Sequence, residues 1–381
     1  MKVTVCIDSF KGSLSTFESA KAVSEGILRV YPDAEIFTLP LADGGEGTVE
    51  AIASACDGHF ENVNVHGPLN ENVAAKYVIV PKTKTAVMEM SQAAGITLVD
   101  TKDRNPMRTT TYGVGQMILD AIEKGCRNFL IGIGGSATND AGVGMLQALG
   151  FEFLNKDGKN VSFGAEGVGE ICKINTDKVN PKLTECTFNI ACDVKNPLCG
   201  ENGCSAIYGP QKGATEEMVK IMDKSIEKFA SLTKEIFPNS DKDYPGAGAA
   251  GGLGFAFMSY LFGTLKSGVE LVTEQIGLEE YVKKSDVVVT GEGRLDSQSV
   301  MGKAPVGVAR VAKKHNKKVI AFCGVASADA GVCNNHGIDA YFPIISSVCT
   351  LKEAMDVNNA YTNLANTAEQ VFRVFSVCDG E

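Results

Sequence analysis

Val3-Thr4-Val5-Cys6-Ile7-Asp8-Ser9-Phe10-Lys11-Gly12-Ser13-Leu14-Ser15 passes from an unbroken apolar run, through a polar glycine-bearing turn, to the start of a helix. The run has the length and β-branching of a strand buried on both faces. Ser15 and Glu18 have capping-box spacing, in which each side chain serves the other's backbone amide. Ala20, Val23, Ile27 and Val30 then mark the helix's inner face. A second strand at 35–39 and a second helix at about 46–56 complete a β-α-β-α opening, which predicts parallel strands with right-handed crossovers. The same rhythm returns at the far end: strands at 286–290, 318–323 and 340–344, with helices at 304–314 and 358–375.

Between these ends the pattern alternates over 59–65, 73–80 and 85–90, which predicts antiparallel neighbours. The expected fold is therefore α/β with two domains. Residues 1–66 plus 285–381 form a discontinuous Rossmann/flavodoxin-like, doubly wound parallel-sheet domain, and residues 67–284 form an inserted mixed α/β domain. A chain that crosses twice between domains is expected to bind its ligand in the cleft there.

Composition excludes several function classes. The 381 residues carry a net charge of −10 with no offsetting basic block, which argues against nucleic-acid binding. No apolar run approaches the ~20 residues of a membrane span, and the first residues do not form a signal peptide, so a soluble, cytoplasmic protein is expected. The twelve cysteines lack C-x-x-C spacing and several, including Cys6, Cys192 and Cys323, fall in or beside apolar runs. They read as reduced, buried thiols, and the four histidines make no ligand pair.

Four loops combine glycines with polar groups after a strand. Asp43-Gly44-Gly45-Glu46-Gly47-Thr48 leads into a helix and suits an anion on helix amides beside a metal-holding or proton-accepting carboxylate. Ser9, Lys11, Gly12 and Ser13 set one cation among small donors at a strand's end, where it can stabilise a transferring phosphoryl group; Asp8 beside them reads most simply as a turn former. Gly134, Gly135, Ser136, Thr138 and Asn139 precede a helix and read as an anion loop, with plain capping by Thr138, Asn139 or Asp140 as the alternative. Glu292, Arg294 and Asp296 fall in one glycine-bounded turn that could hold a metal and an anion together, or could be a surface ion cluster. Arg108 with Thr109, Thr110 and Thr111 offers more hydroxyls than a helix start needs, and Asp193 ends a strand as catalytic and turn-forming carboxylates both do.

Two motifs are decoys. Gly246-Ala247-Gly248-Ala249-Ala250-Gly251 satisfies G-x-G-x-x-G, but no strand precedes it, so close backbone packing is the better reading. Gly302-Lys303 lacks the upstream glycine of a P-loop and is followed by alanine.

Seven blocks together resemble the bacterial-type glycerate kinase family, in the family's order across nearly the whole chain. They are Asp8 to Ser15, Ala42 to Thr48, Arg104-Asn105-Pro106 with Thr109 to Thr111, Ile133 to Asp140, Cys192-Asp193-Val194 with Asn196-Pro197-Leu198, Gly246 to Gly254, and Thr290 to Asp296. Leu98 to Thr101 departs from the family, whose members commonly carry a proline there. The resemblance implies ATP- and Mg²⁺-dependent phosphorylation of D-glycerate to 2- or 3-phosphoglycerate, leaving the hydroxyl and the oligomeric state open. Phosphoryl transfer needs positioning and charge more than covalent chemistry, which agrees with the loops. Lys11, Asp43 and Asp193 are then the catalytic candidates, with Asp43 ahead of Asp193 as base. Ser9, Gly12, Ser13, Gly44, Gly45 and the Gly134 loop are expected at phosphate or nucleotide, Arg108, Thr110 and Arg294 at substrate, and Glu46, Glu292 and Asp296 at metal. A nicotinamide-dependent dehydrogenase and a non-enzymatic sensor of small carboxylates or phosphates are the rival readings.

Overall fold

The computed structural model describes residues 1–42 and 47–378. Strand β1 (Lys2–Ile7) and the helix Thr16–Leu28 open the chain, and the Ser15–Glu18 capping box is formed from both sides. Strand β2 (Glu35–Pro40) and the helix Thr48–Ala55 follow. The chain then builds β3 (His59–His66), β4 (Asn72–Val80), β5 (Thr85–Glu89), β6 (Asn128–Gly132), β7 (Glu152–Leu154), β8 (Lys173–Asn175), β9 (Thr187–Ala191) and β10 (Thr264–Lys266). It returns through β11 (Val287–Leu295), the helix Ala304–Lys314, β12 (Lys318–Ala326), β13 (Ala340–Pro343) and the closing helix Val357–Cys378.

Two compact units result: a terminal unit of residues 1–56 and 268–381, and an inner unit of residues 57–267. These limits differ from 66 and 284, which the sequence rhythm suggests, for identifiable reasons. β3 pairs along its whole length with β4, so it belongs to the inner sheet. The helices Gly268–Gln275 and Leu278–Lys284 pack on the helix Ala304–Lys314 of the terminal unit.

The terminal sheet runs β13-β12-β11-β1-β2 with every pairing parallel. Counted within the unit this is the order 2-1-3-4-5, the flavodoxin-like doubly wound arrangement. Val3, Val5, Ile7, Val289 and Phe322 meet Val23, Ile27, Leu364 and Phe372 from the two long helices, while the alternate residues Cys6, Val288, Val319 and Ala321 are buried as well. Both faces are covered, as unbroken apolar strands require.

The inner sheet runs β10-β9-β6-β5-β4-β3. It is parallel from β10 to β5 and antiparallel at β4 and β3, and β7 and β8 form a separate antiparallel pair. Of the three alternating segments β3 and β4 are antiparallel throughout, whereas β5, buried along nearly its whole length, is antiparallel to β4 and parallel to β6. The glycine-rich run packs backbone on backbone: Gly251 has φ +69°, and a Cβ there would lie 2.1 Å from the Thr138 carbonyl oxygen. Ala141 N–H donates to the Gly251 carbonyl at 2.9 Å. Among the described residues no helix is long and apolar enough to cross a membrane, and the eleven described cysteines are free thiols.

Candidate active site

In a 2-1-3-4-5 sheet the crossovers leaving its first and third strands diverge to opposite faces, and a crevice opens at the strands' carboxyl ends. Here those strands are β1 and β11, and a cavity of about 490 Å³ lies at their ends. Asp8, Ser9, Lys11 and Ser13 line it from β1, Glu292 and Arg294 from β11, and Lys303 from the start of the helix Ala304–Lys314. Phe10, Val325, Ile344, Leu351 and Met355 form an apolar wall.

Local geometry explains how Lys11 arrives there. Phe10 and Leu14 are buried and bonded to each other through both backbone amides, at 2.8 and 3.1 Å, so Lys11 and Gly12 are held at the tip of a tight loop. Thr16 Oγ1 donates to the Ile7 carbonyl at 2.6 Å and accepts from Leu41 N–H at 3.1 Å, which ties the loop's exit to β1 and to the residue after β2. Asp8 N–H donates to the Gly291 carbonyl at 3.0 Å, joining the two strand ends.

Glu292, Arg294 and the residues between them are not a turn. β11 continues through Leu295 because β12 pairs with it as far as Ala326, and the extended backbone sends Glu292 and Arg294 to one side. Asp296 follows, accepts from Gln298 N–H at 2.9 Å, and lies 3.7 Å from the Lys303 ammonium. Glu292 is only 9% exposed and accepts from Ser299 Oγ at 2.5 Å. Burial pushes its carboxyl up to about 7, and the nearby Asp8 and Asp296 carboxylates add to the rise, against the Ser299 bond and the Lys303 charge. One carboxyl poised near neutrality beside two others and three cationic side chains is an arrangement for managing protons and anionic charge.

The remaining candidates lie in the inner unit. Gly134 and Gly135 are exposed at the end of β6, whereas Ser136, Thr138, Asn139 and Asp140 are buried. Capping falls to Asp140: it accepts from Thr111 N–H at 2.8 Å, Thr111 Oγ1 at 2.9 Å, Gly142 N–H at 3.1 Å and Gly144 N–H at 3.3 Å. Burial raises its carboxyl and these bonds oppose the rise. The threonine surplus is likewise engaged inside the unit: Thr109 donates to the Ala137 carbonyl, Thr110 accepts from Tyr112 N–H, and Thr111 also accepts from Met145 N–H. Arg108 is exposed, 3.9 Å from Glu166, and Asp193 is exposed just after β9. Asp43, Gly44, Gly45 and Glu46 lie outside the described residues.

Sequence reading passed over two cations. Lys303 was set aside with the failed P-loop match; the signal was Pro305 two residues on, which marks Lys303 as a helix entry. Lys212 sits in Pro210-Gln211-Lys212-Gly213, which reads as a turn, and no local pattern announces that its ammonium is buried against Ser136 and Thr138.

A family model described as the glycerate kinase family matches residues 3–376. The chain is 45% identical to a glycerate 2-kinase of Escherichia coli strain K12 over 377 residues, covering 99% of this chain and 98% of that one. It is 46% identical to a glycerate kinase of Haemophilus influenzae over 376 residues, covering 99% of each. A crystal structure from Salmonella typhimurium LT2, provisionally named glycerate kinase 2, superposes with a TM-score of 0.91 at 40% identity over the whole of both chains. The chain belongs to the glycerate kinase family, kinases that transfer a phosphoryl group to an alcohol.

Proposed function

We propose that the chain transfers the γ-phosphoryl group of ATP to the 2-hydroxyl of D-glycerate, with Mg²⁺ as the metal. The observation that carries this reading is the cavity at the ends of β1 and β11, which joins an apolar wall to a charged end. The wall of Phe10, Val325, Ile344 and Leu351 suits a nucleobase, and the end holding Lys11, Arg294 and Lys303 suits phosphate oxygens. The 2-hydroxyl is preferred because the 45% identical Escherichia coli relative is named a glycerate 2-kinase.

In the reaction the substrate oxygen forms a bond to the γ-phosphorus, the bond to the bridging oxygen breaks, and the hydroxyl proton passes to a carboxylate. Lys11 offsets charge on the phosphoryl oxygens, and Arg294 and Lys303 hold the anionic groups on either side. Asp43 and Asp193 are the candidate bases. Among the described residues no three His, Cys, Asp or Glu side chains are arranged to cage a metal. Mg²⁺, however, is ordinarily held by one or two carboxylates together with substrate phosphates. Glu292 together with Asp8 or Asp296 would fit that role, since burial raises the Glu292 carboxyl, the neighbouring carboxylates add to the rise, and a bound cation would offset both. When bound, Mg²⁺ would supply charge neutralisation at the phosphates.

The test is direct: ADP release with ATP and D-glycerate, and phosphorus NMR of the product. A 2-phosphoglycerate signal supports the reading, a 3-phosphoglycerate signal reassigns the hydroxyl, and absence of turnover with ATP removes it.

A further inference from the structure

The apolar wall of the terminal-unit cavity is left open to solvent. Val325, Ile345, Leu351 and Met355 all line it and all are exposed, Leu351 at 79%. Leu351 and Met355 belong to the short helix Leu351–Met355, which buries none of its side chains although the Thr350–Glu353 capping box is formed from both sides. Several large apolar side chains exposed on one concave face mark a surface that a ligand covers. The same helix meets the Lys11 loop, where a Cβ on Gly12 would lie 2.8 Å from the Met355 methyl carbon. The apolar face therefore adjoins the charged end of the same cavity, as the base and phosphates of one nucleotide require.

One carboxamide lines this cavity, on the closing helix Val357–Cys378. Asn359 Nδ2 donates to the Glu353 carbonyl at 3.1 Å, which ties the closing helix to the short one, and Asn366 Oδ1 accepts from the Arg29 guanidinium at 2.9 Å. Asn363 lies between them, one helical turn after Asn359, half-buried and lining the cavity beside Ala360. Its backbone carbonyl accepts from Thr367 Oγ1 at 2.7 Å, but its side-chain amide bonds to no described residue. One acceptor oxygen and two N–H donors thus remain for a ligand at the apolar end.

We infer that Asn363 is the specificity-determining residue for the base of the phosphoryl donor: its amide pairs with a purine edge that carries an amino group beside a ring nitrogen, while the base lies against Leu351 and Met355. This deepens the kinase reading above and rests on it. Adenine presents an amino donor next to an acceptor nitrogen, and a carboxamide presents an acceptor oxygen next to a donor, so the two match in both bonds. A base without the amino group leaves the Asn363 oxygen without a donor and keeps one bond at most. The apolar face is indifferent to that change. It sets the affinity for any base, and Asn363 sets the choice between bases.

Steady-state kinetics with saturating D-glycerate compare ATP with purine riboside triphosphate, which lacks only the amino group, for the whole chain as wild type, Asn363→Ala and Leu351→Ala. Calorimetric titrations of ADP and purine riboside diphosphate run beside them. Wild type should prefer ATP by about tenfold in kcat/KM, the worth of one hydrogen bond. In Asn363→Ala that preference should vanish through a rise in KM for ATP, whereas a merely structural loss would raise KM for both nucleotides alike. Leu351→Ala should raise KM for both by a common factor and keep the preference. Alanine is favoured in a helix and Asn363 is only half-buried, so the Asn363→Ala chain should fold. Equal use of the two nucleotides by wild type, a preference that survives in Asn363→Ala, or unaltered KM values in Leu351→Ala overturns the inference. Absence of wild-type turnover sinks the kinase reading instead, and the calorimetric titrations then decide the inference by the same preference and its loss.

Discussion

The charged cluster of the terminal unit and the polar cluster of the inner unit use similar residues to opposite ends. At the ends of β1 and β11, Asp8, Glu292, Lys11, Arg294 and Lys303 line a cavity, and burial, with the neighbouring carboxylates adding to it, raises the Glu292 carboxyl to about 7. At the end of β6, Asp140, Thr111, Thr138 and Lys212 are buried, and Asp140 has four donors from the chain itself. The first cluster presents side chains to a cavity. The second commits Asp140, Thr111 and Lys212 to hydrogen bonds within the chain that shape a loop. Substitutions should therefore separate: the terminal cluster should govern turnover, and the inner network stability.

The largest expected effect is on Lys11. Lys11→Ala should lower kcat and kcat/KM together by about a hundredfold to a thousandfold, as for a preorganised charge contact made in the transition state, with little change in melting temperature. Steady-state kinetics beside a thermal melt would break the comparison if stability fell instead. Asp140→Asn tests the opposite side. It removes the charge that four donors address and should cost about 2 kcal/mol of unfolding free energy, read as a lower urea midpoint. An unchanged midpoint would mean the network is ornamental to folding.

Glu292 sharpens the contrast through pH. Its folded carboxyl titrates near 7, above the unfolded value, so it contributes stability in full below the unfolded value and loses it as pH rises through 7. Glu292→Gln cannot ionise and should be more stable than wild type at pH 8 by about 1–2 kcal/mol, and equal to it at pH 4. Urea titrations at the two pH values check this, and a gap that is the same at both would show that the carboxyl is not desolvated. The smallest effect belongs to a purely local device. Ser15→Ala removes one half of the capping box and should cost about 1 kcal/mol without altering KM.

Much of this architecture was legible in the chain. The strand before Asp8, the Ser15–Glu18 box, the helix Ala304–Lys314 and the antiparallel pairing of β3 with β4 and of β4 with β5 rest on side-chain period and on contacts a few residues apart. Lys11, Glu292 and Arg294 of the cavity were also marked, because strand-end loops in α/β sheets gather ligand groups, whereas Asp8 read as a turn former and Lys303 was passed over.

Sequence alone therefore determined the βα order at both chain ends and the functional groups available at the strand ends, since these depend on local periodicity and on residue identity. Tertiary structure alone decided three further matters. It placed β11 beside β1, which sets Glu292 next to Asp8; it extended β11 through Arg294, where composition suggested a turn; and it buried Lys212 beneath Ser136. Each depends on which distant segment supplies the neighbour: β1 for the strand order, β12 for the extension, the Gly134 loop for the lysine. Pairing energy between remote segments leaves no periodic trace in either segment, and a lysine in a turn reads the same whether water or a buried hydroxyl receives its charge.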